Sequence, residues 1–140
     1  MTNANLVLKK LSIVEEHASR VLSRCPATLP EFENSTLLQD AISLSLLVMI
    51  QEALDIAFHI CADEKWQLPA SNAESFEILA QHGVLTAAVA LEMVKLASMR
   101  NRIAHGYASV VPVRLWNELP GGLEACKRFC TAIGLFATKG

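Results

Sequence analysis

The chain has no apolar run long enough to span a membrane, which takes about 18 consecutive apolar residues. Its best run, residues 44–50, is followed at once by Gln51 and Glu52. The first residues lack the apolar stretch and small-residue cleavage site of a secretory signal. A cytosolic (cytoplasmic) protein with no membrane partner is therefore expected. Cysteine is sparse, with 4 residues (Cys25, Cys61, Cys126 and Cys130) and no Cys-x-x-Cys pair. Cys126 and Cys130 share a helical face, but no His or carboxylate stands beside them at a ligand spacing. Buried, reduced thiols and no metal site are the expectation. Strand-like alternation, internal repeats, low-complexity tracts and Gly-rich phosphate loops are all missing. Charge is scarce as well: 19% of residues are charged and the net charge is −2, against about a quarter charged in an ordinary domain. That balance carries no global nucleic-acid signature, and no DNA partner is expected. Acids are absent altogether from residues 93–117, where Lys95, Arg100, Arg102 and Arg114 fall. Such a window suits the rim of an anion site.

Apolar residues are abundant, at 52% of the 140 residues, with a mean hydropathy of +0.33. One domain over residues 1–140 is expected from the length. So much apolar surface is hard to bury in so small a body, and the excess points to a subunit interface. The apolar positions recur at helical steps nearly throughout. Leu6, Leu8, Leu11, Val14, Ala18, Val21 and Leu22 predict a first helix, ended by a loop holding Pro26 and Pro30. Asn34, Ser35 or Thr36 caps a long second helix reaching about Ala62, apolar on nearly every face. Residues 71–74, Ser-Asn-Ala-Glu, have capping-box form, and the short helix they start stops at Gly83. Thr86 starts a fourth helix that runs through Arg100 to His105. Pro112 opens a fifth, which Pro120, Gly121 and Gly122 are expected to break or kink. The fold class is all-α, an antiparallel bundle of about five helices.

Residues 100–107, Arg-Asn-Arg-Ile-Ala-His-Gly-Tyr, concentrate the chemistry. Arg100 and His105 lie roughly 140° apart around a helix, while Asn101 and His105 share a face. A guanidinium grips phosphate through parallel donors and stabilises charge in a transition state. An imidazole moves a proton near neutral pH. Together they provide for attack of an RNA 2′-hydroxyl on its own 3′-phosphate without a metal. A second proton donor is also wanted, and a second copy of the motif from a symmetry-related subunit supplies one. On spacing alone, though, a surface Arg and a helix-capping His fit the pattern as well. Tyr107 has an equally plain reading, a ring packed after a helix end.

Residues 75–85 (Ser-Phe-Glu-Ile-Leu-Ala-Gln-His-Gly-Val-Leu) and 96–107, where Arg100-Asn101 opens an Arg-x4-His-x-Tyr motif, resemble the HEPN superfamily and, within it, the HepT-like toxin branch. Glu52, Asp55, Ile56, His59 and Ile60 of the second helix extend the resemblance, which covers residues 37–107 well and the two ends loosely. It implies a helical homodimer whose two motifs meet in a cleft. It further implies a metal-independent endoribonuclease without cofactors, the toxin of a toxin–antitoxin pair, leaving 2′,3′-cyclic phosphate ends. Arg100 and His105 match the catalytic pair and Asn101 the residue that organises it. Tyr107 matches the tyrosine that the partner, a minimal nucleotidyltransferase (MNT) antitoxin, modifies with AMP. A bulky anion there would block the cleft and repel RNA. The residues that follow, 108–112, lack the acids many members carry.

Arg102 and Lys95 are candidate RNA-phosphate contacts, with a solvated surface preferred for Arg102. Asp55 and His59 stand four apart, either as a satisfied polar patch near an interface or as accessory cleft residues. Trp66 and Trp116 are read as packing anchors rather than base-stacking platforms. His17 and His82 receive no role. Two other functions fit the same residues: a non-catalytic HEPN module that binds a nucleotide or substrate for a nucleotidyltransferase, and a purely structural helical bundle.

Overall fold

The computed structural model describes residues 1–105 and 111–139. Among these residues there are six helices and no strand: α1 (Ala4–Arg24), α2 (Leu29–Glu33), α3 (Thr36–Asp63), α4 (Asn72–Gln81), α5 (Ala87–His105) and α6 (Pro112–Thr138). The all-α expectation holds, with one helix more than the periodicity indicates. The extra one is α2, which falls where a loop is expected. Pro30 does not forbid it, because a first-turn residue has no helical acceptor for an N–H. Thr28 caps it by accepting from Glu31 N.

Helix starts follow their polar caps. Asn3, Ser35 and Ser71 side chains accept from the amides of Leu6, Leu38 and Glu74, and Thr86 Oγ1 accepts from Val89 N at 3.2 Å. The capping box at Ser71 is half formed. Glu74 turns away from the Ser71 amide to accept from Gln67 Nε2 at 3.1 Å and Ala70 N at 3.4 Å. At the other end of α4, Gly83 has φ +77°. Val84 N reaches Leu79 O at 2.9 Å and Gly83 N reaches Ala80 O at 3.0 Å, the paired bonds of a Schellman stop.

The greasy α3 is the central element. Met49, Ile50, Ala53, Leu54, Ile56 and Ile60 are among its fully buried residues. It packs on α1, α2, α4 and α5. By length and composition α3 is apolar enough to cross a membrane, and more than half of its most apolar stretch is buried inside the fold. The run-length criterion misses this because Ser and Gln interrupt the run without making the helix polar. Farther out, Phe76 of α4 and Phe129 of α6 meet edge to face, with centroids 5.8 Å apart and planes at 87°.

α6 runs unbroken through Pro120, Gly121 and Gly122, against the expectation of a break. Pro120 removes one hydrogen-bond donor, and packing against α5, α1 and α2 holds the rest of the helix. Gly122 serves that packing: a Cβ there would sit 2.9 Å from Leu96 Cδ2 of α5. Gly121 faces open space, with nothing within 4 Å of its missing Cβ. Gly121→Ala should therefore raise stability by about 0.5–1 kcal/mol, since alanine loses less entropy in a helix. An unchanged or lower midpoint in urea would contradict this.

Large apolar side chains remain on the outside, among them Leu37 and Leu44 on α3, Leu91 on α5, and Leu22 and Leu135 on α1 and α6. The last two flank a groove of about 950 Å³ between α1 and α6, lined also by Leu8, Leu11, Leu123 and Cys130.

Candidate active site

The last turns of α5 carry Arg100, Asn101, Arg102 and His105. Three faces of the helix send them to three environments. Arg100 is half-buried and turns inward against α3, while Asn101 and His105 are exposed. Tyr107 and the rest of residues 106–110 lie outside the described residues.

Arg100 Nη2 donates to Gln51 Oε1 at 2.9 Å, and Nη1 donates to the Oδ1 of Asn101 at 3.2 Å. Its buried Nε has no partner among the described residues. Both of its acceptors are neutral amide oxygens. The contrast with its neighbour is sharp. Arg102 makes a two-pronged contact with Glu118 of α6, at 3.0 and 2.7 Å, and Arg114 Nε donates to the same carboxylate at 2.8 Å. The Arg102 side chain is only 28% exposed. It is an internal staple between α5 and α6, not the solvated surface group expected. The acceptor sixteen residues on lies across a helix–helix interface that no sequence spacing reveals. Lys95 is exposed and pairs with Glu92 one turn back, at 3.1 Å.

The staple has a pH signature. The Arg102 hydrogen bond, aided by Arg114, holds the Glu118 carboxyl below its ordinary 4.5 against the opposing effect of burial. A lowered folded value means the contribution is fully present above the ordinary carboxyl value. It is lost as pH falls through the lowered folded value. Glu118→Gln should cost about 1 kcal/mol near neutral pH. The gap in melting temperature between variant and wild type should close as pH falls below about 4. A gap that stays constant down to pH 3 would count against this assignment.

Asp55 and His59 do not pair with each other among the described residues. Asp55 Oδ1 accepts from Gln51 Nε2 at 3.2 Å, and Asp55 Oδ2 lies 3.6 Å from Lys10 Nζ. Lys10 also binds Glu52 at 3.2 Å. A polar chain thus runs from Lys10 on α1 through Asp55 and Gln51 on α3 to Arg100 on α5. Gln51 is the residue that reading the sequence misses. Its signal is present all the same, because a Gln four residues before an Asp on an otherwise greasy helix requires a polar partner.

Trp66 stacks face to face on His82, with centroids 3.8 Å apart and planes at 6°, and leans on Phe136. Trp116 packs against Phe32 at 5.7 Å. All four cysteines are free thiols. The Cys126 thiol is pushed well above the ordinary range by its hydrogen bond with Cys130 and by burial. Among the described residues no group of His, Cys, Asp and Glu is placed to hold a metal ion.

Residues 14–133 match the ribonuclease HepT-like family. The chain belongs to that family. The mRNA nuclease HepT of Shewanella oneidensis is 25% identical over 103 residues, spanning 74% of this chain and 77% of its own. The tRNA nuclease HepT of Aphanizomenon flos-aquae is 28% identical over 120 residues, spanning 80% of this chain and 82% of its own. The fold superposes with a TM-score of 0.84 on a tri-AMPylated HEPN toxin of S. oneidensis solved in complex with an MNT antitoxin. The two are 23% identical, and the match covers 95% of this chain and 98% of the other. The HepT-like resemblance and the all-α fold thus stand together, and the family is one of ribonucleases.

Proposed function

We propose that this chain is the toxin of a toxin–antitoxin pair, a cytoplasmic endoribonuclease in which Arg100 and His105 do the chemistry. The observation that carries this reading is an arginine held, among the described residues, by amide oxygens and no carboxylate, on the helix end that also presents Asn101 and His105. Its positive charge is uncancelled and its orientation fixed, as binding a phosphodiester requires.

In the proposed reaction the RNA 2′-oxygen bonds to its adjacent phosphorus and the bond from phosphorus to the 5′-oxygen breaks. The 2′-hydroxyl loses a proton to a base and the departing 5′-oxygen gains one from an acid. The products are a 2′,3′-cyclic phosphate and a free 5′-hydroxyl. His105 performs one of the two proton transfers and His105 of a second copy the other, so the working unit is a homodimer of a single domain. Arg100 offsets the charge gathering on the phosphoryl oxygens. The nucleophile belongs to the substrate and the charge is met by guanidinium, so the reaction needs no metal. Lys95 is a peripheral phosphate contact, and Arg102 serves the fold.

The partner is a minimal nucleotidyltransferase that silences the toxin by moving AMP from ATP to the Tyr107 oxygen, with release of pyrophosphate. The added phosphodiester places negative charge two residues from His105, where it repels RNA. Cleavage of a mixed RNA pool by the partner-free protein in excess EDTA, with mapping of product ends, tests the reaction. Cyclic phosphate ends are expected. Failure to cleave, with Tyr107 shown unmodified by intact mass, would favour a non-catalytic binding module instead.

A further inference from the structure

Four of the five other arginines are paired with acids, whereas Arg100, like Arg24, has no acid contact among the described residues. Arg20, Arg102, Arg114 and Arg128 each lie within 3.3 Å of a glutamate oxygen. Arg100 instead meets the amide oxygens of Gln51 and Asn101. The amide of Gln51 has a defined direction. Its Nε2 side faces the Asp55 carboxylate, which can only accept, so its Oε1 side must face the guanidinium, which can only donate. Asp55 in turn shares Lys10 with Glu52, which lies nearer to that ammonium, at 3.2 Å against 3.6 Å. The chain of groups therefore ends in an oriented dipole. The full negative charge nearest to Arg100 along it, that of Asp55, stands one side chain farther away, beyond Gln51.

We propose that Gln51 is a positioning residue for Arg100: it fixes the guanidinium on the α3 side of α5 and leaves its charge uncancelled for an RNA phosphate. The proposal rests on the assignment of Arg100 to catalysis and adds the device that prepares it. A glutamate at position 51 would keep an acceptor for the guanidinium but would neutralise it and lose the bond to Asp55. A leucine would fill the space and let the guanidinium swing. Position and charge can thus be separated by two substitutions at one site.

The experiment uses the full-length protein with Gln51→Leu, Gln51→Glu, Gln51→Asn and Arg100→Ala. Each is measured for RNA cleavage rate, for affinity toward a 2′-O-methyl RNA that cannot be cleaved, and for melting temperature. Gln51→Leu and Gln51→Glu should both cleave at least tenfold more slowly than wild type, because small misplacement or loss of a phosphate-binding charge costs on the order of 10–100-fold. Gln51→Glu should also bind the uncleavable RNA several-fold more weakly, measured well below its own melting temperature, which repulsion from Asp55 is expected to lower. A merely structural role predicts unchanged affinity there, since the glutamate keeps an acceptor for Arg100. Gln51→Asn, too short to span α3 to α5, replaces Gln51→Leu if that variant fails to fold, and should be slowed likewise. Wild-type cleavage and affinity in Gln51→Glu would overturn the charge argument, and in Gln51→Leu or Gln51→Asn the positioning argument. Arg100→Ala separates the two layers. If it retains full activity, the catalytic assignment of Arg100 fails; if it is inactive while every Gln51 variant behaves as wild type, only the present proposal fails.

Discussion

His105→Ala is expected to lower RNA cleavage by roughly 10²–10⁴-fold, the usual contribution of a positioned general acid or base, and to leave the fold intact. His105 is exposed and is the final residue of α5, so its ring can be removed without opening a cavity. Arg100→Ala should cost roughly 10²–10³-fold, in the range of losing one transition-state donor. It should also weaken binding of RNA, which His105→Ala should not. The two variants are thus separable by comparing cleavage of RNA with affinity for its 2′-O-methyl counterpart. Equal cleavage by wild type and His105→Ala would remove His105 from the mechanism and point to a contaminating nuclease. In the proposed reaction proton transfer is shared between two copies, so a mixed dimer with one His105→Ala chain should also be slow.

The second large effect concerns stability. Phe129 is fully buried and meets Phe76 edge to face across the α4–α6 contact. Phe129→Ala should destabilise the fold by about 3–5 kcal/mol, through lost transfer energy and the cavity left behind. Domains of this kind have only about 5–15 kcal/mol in total, so the melting temperature should fall by on the order of 10 °C. A urea midpoint within experimental error of wild type would refute the packing assigned to this pair. Activity measured well below the new melting temperature should survive, because the hydrogen bonds that hold Arg100 come from Gln51 and Asn101 and not from this pair. Stability and catalysis are thereby open to separate perturbation.

Local signals in the sequence carry over well into the helix ends. Ser35, Ser71, Thr86 and Gly83 act where their side chains or their lack of one predict, since a cap depends on residues three or four positions away. The α-helical class follows from apolar spacing for the same reason. Features that depend on distant partners do not carry over. Pro30 and Pro120 read as breakers, yet one sits in a first turn and the other is held by the packing of α6 on three helices. Arg102 looks solvated until Glu118 is brought to it from α6. Arg100 and His105 are legible as a motif, but Gln51 is forty-nine positions from Arg100 in the chain, and only the α3–α5 packing joins them.

The first and last helices lie side by side: α1 packs on α6 as well as on α3. A ribosome adds on the order of 5–20 residues per second. The first helix therefore waits on the order of ten seconds for its final neighbour. The pair formed by Gln51 and Arg100 can close earlier, once α5 has emerged, whereas the staple between Arg102 and Glu118 needs part of α6. During synthesis the nascent chain thus holds Arg100 in place before the body that carries it is closed. That order leaves an interval of translation in which the arginine is fixed while the fold around it is still open.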